Sequence, residues 1–427
     1  MFSRFSALLP LSLCTAGVMV ASSAQAISYG IYDPRGLAMG GAGVGVASFH
    51  QAQYYNPALL ALNDESENRT RDSRFVFPNL VVQVDDSVEA VIDAADDNLQ
   101  ENLERAVDGY NSSRSAEAAG EVANRARQLE TLLVDLGNQQ IEGEVVFGLS
   151  VSEPSKFEGG AFFISSRSIS FADSTIPAAD YALLADYINA MDVLAAGGSF
   201  ADISPALLDG NGNLIDPSDR FNSSANITAF NLLEWGVSLS RKFEFFGQSV
   251  ALGVTPKVLN IYAISDSTDF GDDDLDFDDD EQSYLSVNGD VGVLFELFDH
   301  YRVGVAAKDL VPEKFTTNSG AELQLKTRSR LGLGYVRERF SLGLDMDLSE
   351  NQPVAAEAPL QEVALGLEVT PLRGLDLRLG YRQDLSGNRE DTLSGGLAYQ
   401  IKRLVIELSY GQSDATTSGA LQFGWRF

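Results

Sequence analysis

Along the C-terminal half of the chain, apolar residues alternate with small or polar ones in segments of about ten, so that successive side chains fall on opposite faces of a strand. In 338–348 one face carries Phe340, Leu342, Leu344, Met346 and Leu348, and the other Ser341, Gly343, Asp345 and Asp347. In 373–383, Leu375, Leu377, Leu379 and Tyr381 oppose Asp376, Arg378, Gly380 and Arg382. The same pattern sets Leu404, Ile406, Leu408 and Tyr410 against Val405, Glu407, Ser409 and Gly411 in 402–411. The last segment sets Leu421, Phe423, Trp425 and Phe427 against Ala420, Gln422, Gly424 and Arg426. Alternation alone fits a soluble sandwich as well as a barrel. Two features favour the barrel. The apolar face is uniformly bulky and ends in aromatics (Tyr335, Tyr381, Tyr399, Tyr410, Trp425), as an interfacial girdle would, and the chain stops on Phe427 in register with that face.

Counting back from Phe427, the pattern predicts strands at 418–427, 402–411, 390–399, 373–383, 360–369, 338–348, 325–335, 301–309, 283–295, 248–266, 226–241, 157–173, 144–152 and 73–84. Connections near 400–401, 370–372, 336–337, 296–300, 242–247 and 153–156 are short. Those at 412–417, 384–389, 349–359, 310–324, 267–282, 174–225 and 85–143 are mostly longer and more polar. Short turns on one side and long loops on the other define a transmembrane barrel with its short side periplasmic. The expected fold is therefore all-β, a 14-stranded antiparallel transmembrane barrel. Two long loops read as helical. In 87–136, Val88, Val91, Ile92, Leu99, Leu103 and Val107 recur at helical spacing, and Val122, Leu129, Leu132 and Leu136 resume it after a break at Asn111-Ser112-Ser113. A second helix is expected at 178–196, with Tyr181, Leu184, Tyr187, Ile188, Met191 and Leu194. These stripes suit packing against each other and the barrel rim, or a landing surface for a hydrophobic ligand.

The first 26 residues read as a secretory leader. Arg4 precedes the apolar stretch from Leu8 to Ala21, and Ala24-Gln25-Ala26 is a small-x-small cleavage site, so the mature chain is expected to begin at Ile27. Cys14 is the only cysteine and lies in this leader, after Leu13, which is too large for a lipoprotein signal. Disulfides, thiolate metal sites and cysteine nucleophiles are thereby excluded from the mature chain. The formal net charge of −31 disfavours nucleic acid as a partner. After the leader no apolar run reaches the roughly 18 residues of a spanning helix, so any membrane crossing falls to strands.

Residues 30–62 are not strand-like. Gly40, Gly41, Gly43 and Gly45 lie in a small-residue run, and Tyr54-Tyr55-Asn56-Pro57-Ala58 follows. The glycine spacing misses a dinucleotide loop and no βαβ unit follows. A tightly folded plug within a wide barrel is the physical alternative. The Asn56 amide, just before Pro57, can close an Asx-type turn that fixes the plug against the wall. Pro78 and Pro256 fall within predicted strands, where each removes a ladder donor and marks a gap, bulge or kink. Near Pro78 such a break could be harmless or could open the wall laterally. The loop at 266–281 is densely acidic. Asp272, Asp273, Asp274, Asp276 and Asp278 could hold a hard divalent cation, or simply form a solvated acidic loop. Asp209-Gly-Asn211-Gly-Asn213 resembles part of a calcium loop, but Leu207 takes the first ligand position and no Glu closes it, so a turn is expected. His50 falls in the plug and His300 in a short turn, and neither reaches a strand serine. Asp345, Asp347, Arg378, Arg382, Glu407 and Arg426 fall on the lumenal face, where charges satisfy one another or gate a pore. No catalytic group and no cofactor are expected.

Gly40-Gly41-Ala42-Gly43-Val44 together with Tyr54-Tyr55-Asn56-Pro57-Ala58 resembles the hatch of the fatty-acid-transporter superfamily, of FadL and toluene-channel types. A tighter resemblance is to the TraF-type family named after the plasmid conjugal-transfer operon. Its N-P-A-L-L-A run matches Asn56 to Ala61, followed by an acidic stretch, the strand start Pro78-Asn79-Leu80-Val81-Val82 and an acidic helix like 86–107. Thioredoxin-type proteins of the same name carry a CxxC that this chain lacks. The likeness covers the first third closely and the remainder as architecture. It implies a leader at 1–26, a plug at 27–72, and a barrel at 73–427 with helical insertions at 87–136 and 178–196. In FadL-like channels a strand kink opens a lateral exit, which places a possible lateral opening at Pro78. The implied function is an outer-membrane channel for uptake of small hydrophobic molecules; the alternative is a structural envelope component of a conjugation or secretion assembly. Expected partners are outer-membrane lipids, the barrel-assembly machinery acting through the C-terminal strand, and a hydrophobic small-molecule ligand.

Overall fold

A computed structural model describes residues 27–62, 73–88, 99–137, 140–155, 157–200, 203–217, 220–245, 248–269, 281–351 and 359–427. The strands are β1 (Arg74–Asp85), β2 (Gln140–Glu153), β3 (Glu158–Thr175), β4 (Ser224–Phe245), β5 (Gln248–Asp269), β6 (Gln282–Leu297), β7 (Tyr301–Lys308), β8 (Glu313–Thr316), β9 (Glu322–Leu325), β10 (Arg328–Arg337), β11 (Phe340–Asp347), β12 (Glu362–Leu372), β13 (Leu375–Asp384), β14 (Thr392–Ile401), β15 (Leu404–Gln412) and β16 (Thr416–Arg426). All but β8 and β9 close into one barrel of fourteen antiparallel strands, with β1 paired to both β2 and β16. Closure follows from the period-two pattern, which leaves every strand one bulky apolar face and one small or charged face.

The faces fall as the alternation requires. On β11 Leu342, Leu344 and Met346 are exposed outward while Ser341, Asp345 and Asp347 are buried inward. On β13 Leu377, Leu379 and Tyr381 point out, while Arg378 and Arg382 point in. The polarity reverses toward the long-loop end of β3, β4 and β5. There Ser166, Ser168 and Asn231 take the outer face and bond to one another at 2.6–2.8 Å. Ile169, Phe171, Phe230, Leu232, Leu259 and Ile261 take the inner face. These strands, 18, 22 and 22 residues long, thus run past the apolar belt into a region with ordinary soluble-protein polarity.

Proline acts differently at its two strand positions. In β1 the register slips between Val76 and Asn79 against both neighbours, so Phe77 and Pro78 together oppose a single residue on each side: a β-bulge. At Pro256 the β4–β5 register is the same before and after (Gly236 opposite Lys257, Leu239 opposite Val254), so only local ladder bonding is lost.

Three expectations need correction. The long connection at 310–324 contains the hairpin β8–β9, and Leu325, expected to begin a barrel strand, belongs to β9 instead. Phe315, Leu323 and Leu325 are buried, so that hairpin is tied down by the inner apolar face of β3–β6. The break between the first two helices lies at Arg114-Ser115, not Asn111-Ser112-Ser113. The helix Leu99–Ser113 continues until Arg114 turns left-handed (φ 50°), and Ser115 then caps Ala116–Leu136 by accepting from the Ala118 amide at 3.1 Å. Strands β2 and β4 are also longer than the alternation indicated: β2 begins at Gln140 rather than 144, and β4 runs from Ser224 to Phe245 rather than from 226 to 241. The third helix, Ala178–Ala195, packs its Leu184, Tyr187 and Met191 against Leu103, Val107, Val122 and Leu129 of the other two. Their apolar stripes are consumed by one another.

Candidate functional site: the plugged lumen

The segment Ile27–Leu62 lies inside the barrel and nearly all of it is buried. Short local devices shape it. Asp33 caps the helix Pro34–Ala38 by accepting from the Gly36 amide at 3.0 Å, and it also accepts from the Gln51 amide at 2.6 Å. Gly40 and Gly41 then take φ of 66° and 95°, a conformation that excludes a Cβ at little cost only for glycine. Tyr32 and Tyr54 stack with centroids 5.6 Å apart, and the Tyr29 hydroxyl donates to the Tyr55 carbonyl at 2.6 Å. Burial pushes the Tyr29 and Tyr55 phenols well above their ordinary range, so they act as neutral donors.

Between Leu37 and Ala58 the plug runs across the strands along the inner wall, in a track of wall glycines. A Cβ on Gly253 would strike Pro57 and Ala58; on Gly292, Asn56; on Gly332, Val44 and Gly45; on Gly380, Met39 and Gly40. These glycines are cross-strand neighbours along much of the track (Gly253 with Gly292, Gly304 with Gly332, Gly366 with Gly380). Backbone therefore lies flat on backbone around much of the barrel.

Two polar clamps fix that track. The wall carboxylate Asp345 accepts from the amides of Gly43 and Val44 at 2.7 and 2.8 Å, so the glycine run wraps an anion supplied by the barrel itself. Asn56 accepts from the Ala58 amide at 3.1 Å, closing the turn into Pro57–Ala61. Its Nδ2 donates to the Val44 carbonyl at 3.0 Å and the Val293 carbonyl of β6 at 3.3 Å.

Buried ion pairs surround the plug. Glu368 takes Arg35 of the plug and Arg378 of the wall, at 2.9 and 2.7 Å. Glu407 takes Arg378 at 2.6 Å and Arg74 at 3.1 Å, with His50 of the plug at 3.6 Å. Arg330 joins Asp347 and Glu362. On the far wall Lys257 reaches Glu234, Asp290 and Asp309 at 3.4, 3.0 and 2.6 Å, and Asp309 also pairs with Arg328. Arg328 and Arg167 both bond the Ser28 carbonyl, which seats the start of the plug near the long-loop end. Ile27 beside it packs into the apolar cluster of β3–β6 and the β8–β9 hairpin.

Residues 53–347, from the plug to the end of β11, match the family described as "F plasmid transfer operon, TraF, protein". The chain belongs to this family. No curated protein matches it. Among solved structures, this TraF-family chain is similar to a deletion mutant of the TodX monoaromatic hydrocarbon channel, at 11% identity over 92% of this chain and 96% of that one, with a TM-score of 0.48. The CymD monoaromatic hydrocarbon channel gives 11%, 94%, 99% and 0.47. A Pseudomonas aeruginosa FadL homologue gives 11%, 92%, 97% and 0.46. The fold itself rests on the chain's own strand order.

The residues singled out in sequence therefore fall as follows. Gly40, Gly41, Gly43, Asn56 and Pro57 lie together on the wall track, and Pro78 sits at the β1 bulge. Asp345, Asp347, Arg378, Arg382 and Glu407 are buried inside the barrel. Asp272, Asp273, Asp274, Asp276 and Asp278 lie outside the described residues. Asp209 turns its carboxylate onto the Asn211 and Asn213 amides at 2.8 and 2.7 Å; these bonds, Asn213 first, hold it below the usual carboxylate range. Sequence reasoning passed over Lys257, Arg328, Arg330, Glu362 and Glu368. Their signal was parity: each is a charge at a lumen-facing position of a strand. It also passed over the inward apolar patch of β3–β5, because it assigned one polarity to each whole strand.

Proposed function

We propose that this TraF-family chain is an outer-membrane barrel that admits small hydrophobic molecules, with its plug closed in the conformation described. The outward belt of leucine and aromatic side chains suits a lipid environment, since a monomer in water does not leave so large an apolar surface bare. The observation that carries the reading is the inner apolar wall of β3–β5 beyond the plug, where Phe171, Phe230, Leu259 and Ile261 face inward beneath the β8–β9 hairpin. A water-filled pore would line that surface with polar groups. The β1 bulge at Pro78, toward the short-turn end of the barrel, is the proposed lateral exit, because it is where the ladder is interrupted on both sides. TodX and CymD, to which the chain is similar, are monoaromatic hydrocarbon channels.

A second reading, a structural barrel in an envelope assembly, draws support from the sealed lumen: buried ion pairs and a fully packed plug suit a part that need not conduct. Delivery of a labelled long-chain fatty acid or arene into liposomes holding the purified mature chain separates the two. Transport above that of empty liposomes, reduced by Phe230→Asp, is expected. Rates equal to empty liposomes for every hydrophobic probe would reject the channel and leave the structural reading, to be tested by crosslinking in cells. Should Pro78→Val leave transport intact, the lateral exit is discarded while the channel stands.

A further inference from the structure

The barrel strands do not all end at one height. β6 pairs with β5 from Gln282 to Glu296, but with β7 only from Val291 to Leu297. Beyond that point the chain after β7 leaves the wall. Asp309 turns left-handed (φ 55°), and the β8–β9 hairpin that follows packs on the inner apolar face. The last bonds on this side are the Leu310 amide on the Gly289 carbonyl, at 3.0 Å, and the Asn288 side chain, which takes both the amide and the carbonyl of Val311 at 2.9 Å. The Gly289 carbonyl thus points away from β5, and the period of two turns the backbone groups of Val287, Leu285 and Ser283 the same way. Among the described residues no strand pairs with them, so β6 from Gln282 to Asn288 is a free sheet edge.

Such edges are normally blunted by charge, proline or a bulge. Between Gln282 and Asn288 there is no charged residue and no proline, and the register with β5 is unbroken. Leu285 and Val287 point outward, and at 78% and 68% they are the most exposed large apolar residues of any described strand. The outer-face neighbours of Leu285 and Ser283 on β5 are Asn260 and Tyr262, bonded to each other at 2.6 Å, so this edge rises above the apolar belt. Within hydrocarbon an unpaired backbone would be too costly to leave bare.

An added strand would satisfy the bare backbone groups and cover both side chains. A second copy does not fit that place. Strands of such barrels tilt by about 35–45°, so a copy in the same membrane would lay its β6 across this one at roughly 70–90° instead of alongside it. Charge then sets the chemistry of the occupant. Glu281 is exposed where β6 begins, and Asp266 lies on the outer face of β5; neither is paired with a basic residue among the described ones. The whole chain carries a formal net charge of −31. We propose that the β6 edge docks an extended segment of another protein, apolar beside Leu285 and Val287 and basic where it reaches Glu281 and Asp266. Docking there leaves the plug and lumen untouched, so it stands whether or not the barrel conducts.

The test uses the mature chain in lipid nanodiscs and a labelled peptide, acetyl-Val-Thr-Val-Thr-Lys-Thr-Lys-amide. Set antiparallel, it places its valines beside Val287 and Leu285 and its lysines beside Ser283 and Glu281. Fluorescence anisotropy should show saturable binding. Amide hydrogen exchange should slow at Ser283, Leu285 and Val287 and change little at Tyr284 and Ser286, whose backbone groups already face β5. Leu285→Pro removes an edge N–H without touching the β5 ladder, and should weaken binding about tenfold or more, since backbone hydrogen bonds supply the affinity. The peptide N-methylated at its third and fifth residues keeps its side chains and charge, and should lose as much against the wild type. It carries the test should Leu285→Pro fail to fold. Leu342→Ala, on the outer face of β11 and paired on both sides, should bind as the wild type does. No saturable binding, or equal binding of the N-methylated peptide, overturns the docking edge. Protection of the three amides without peptide, growing with protein concentration, hands the edge to a second copy and overturns the proposal too.

Discussion

Replacing Gly380 with alanine isolates the contact on which plug seating depends. The new Cβ would stand closer than 3.0 Å to the backbone of Met39 and Gly40, where no flexible side-chain end can give way. Overpacking a well-filled interior costs about 1–3 kcal/mol when side chains can adjust. Here either β13 or the plug must move. β13 is held by an unbroken ladder to β14 and, from Leu377 to Asp384, to β12, so the plug is the part that lifts. Lifting it strains the Gly43 and Val44 bonds to Asp345, each on the order of 1–3 kcal/mol if left unmade in the interior. The expected loss is therefore about 3 kcal/mol or more. Gly419 on the outer face of β16 is the matched control, since a Cβ there meets nothing within 4 Å. Gly419→Ala should stay within roughly 0.5 kcal/mol of the wild type. Equilibrium urea unfolding in lipid vesicles reads the stability, and protease cleavage within 27–62 reads the seating. Equal unfolding midpoints for the two variants, or an uncleaved plug in Gly380→Ala, would refute a plug pressed onto wall glycines.

Asn56→Ala removes one turn bond and two bonds to carbonyls, and should lower stability by about 2–4 kcal/mol in the same unfolding assay. Glu368→Gln strips the shared carboxylate from two buried guanidinium groups and should cost about 3–5 kcal/mol, whereas Glu101→Gln, in an exposed helical pair, should change nothing measurable. Asp309, in the connection after β7, is raised by burial but lowered more by Arg328 and Lys257, so its folded carboxyl titrates below the ordinary carboxylate range. Its clamp is then fully present above the unfolded value of about pH 4 and is lost only as the pH falls further toward the folded value. Amide hydrogen-exchange protection of the adjoining 310–327 segment, corrected for intrinsic exchange at each pH, should therefore hold from pH 7 to about pH 4 and decline progressively below it; earlier loss near pH 6 would point to another group.

The barrel was legible because one rule, a bulky residue at every second position, was repeated in nearly every strand, and a one-residue slip would bury the lipid-facing set. Phe427, Trp425 and Phe423 anchored the count from the end. The outer thirds of β3–β5 were harder. Ile169, Phe171, Phe230 and Ile261 obey the same period with the faces exchanged, and only a three-dimensional partner, the β8–β9 hairpin, says which face is inside. The plug was legible in outline from Gly40 to Pro57. Its clamps were not, because Asp345 lies some 300 positions from the amides it binds and Glu368 some 330 from Arg35. Nothing local distinguishes such a carboxylate from one facing water.

The clamp energies also limit how this barrel could open. Withdrawing the whole plug would break the Arg35–Glu368 pair, the two amides on Asp345, the Asn56 bond to Val293, and the bonds of Lys308 and Ser240 to the Tyr54 and Ala58 carbonyls. By the magnitudes above that comes to more than about 8 kcal/mol. A micromolar ligand supplies about 8.2 kcal/mol in total, and only its difference between closed and open states can do the work. Complete ejection by cargo is thus out of reach, and a smaller element must yield. The stretch Ile27–Tyr32 is tied to the wall by the Ser28 carbonyl on Arg167 and Arg328, by the Ser28 hydroxyl on Arg167 and by the Asn79 amide on the Tyr32 carbonyl. These are single hydrogen bonds of about 1–3 kcal/mol each, within a micromolar ligand's reach. They join the apolar wall at Ile27 to the β1 bulge beside Asn79. A molecule displacing Ile27 from that wall would act first on this stretch, leaving the glycine track from Leu37 onward in place.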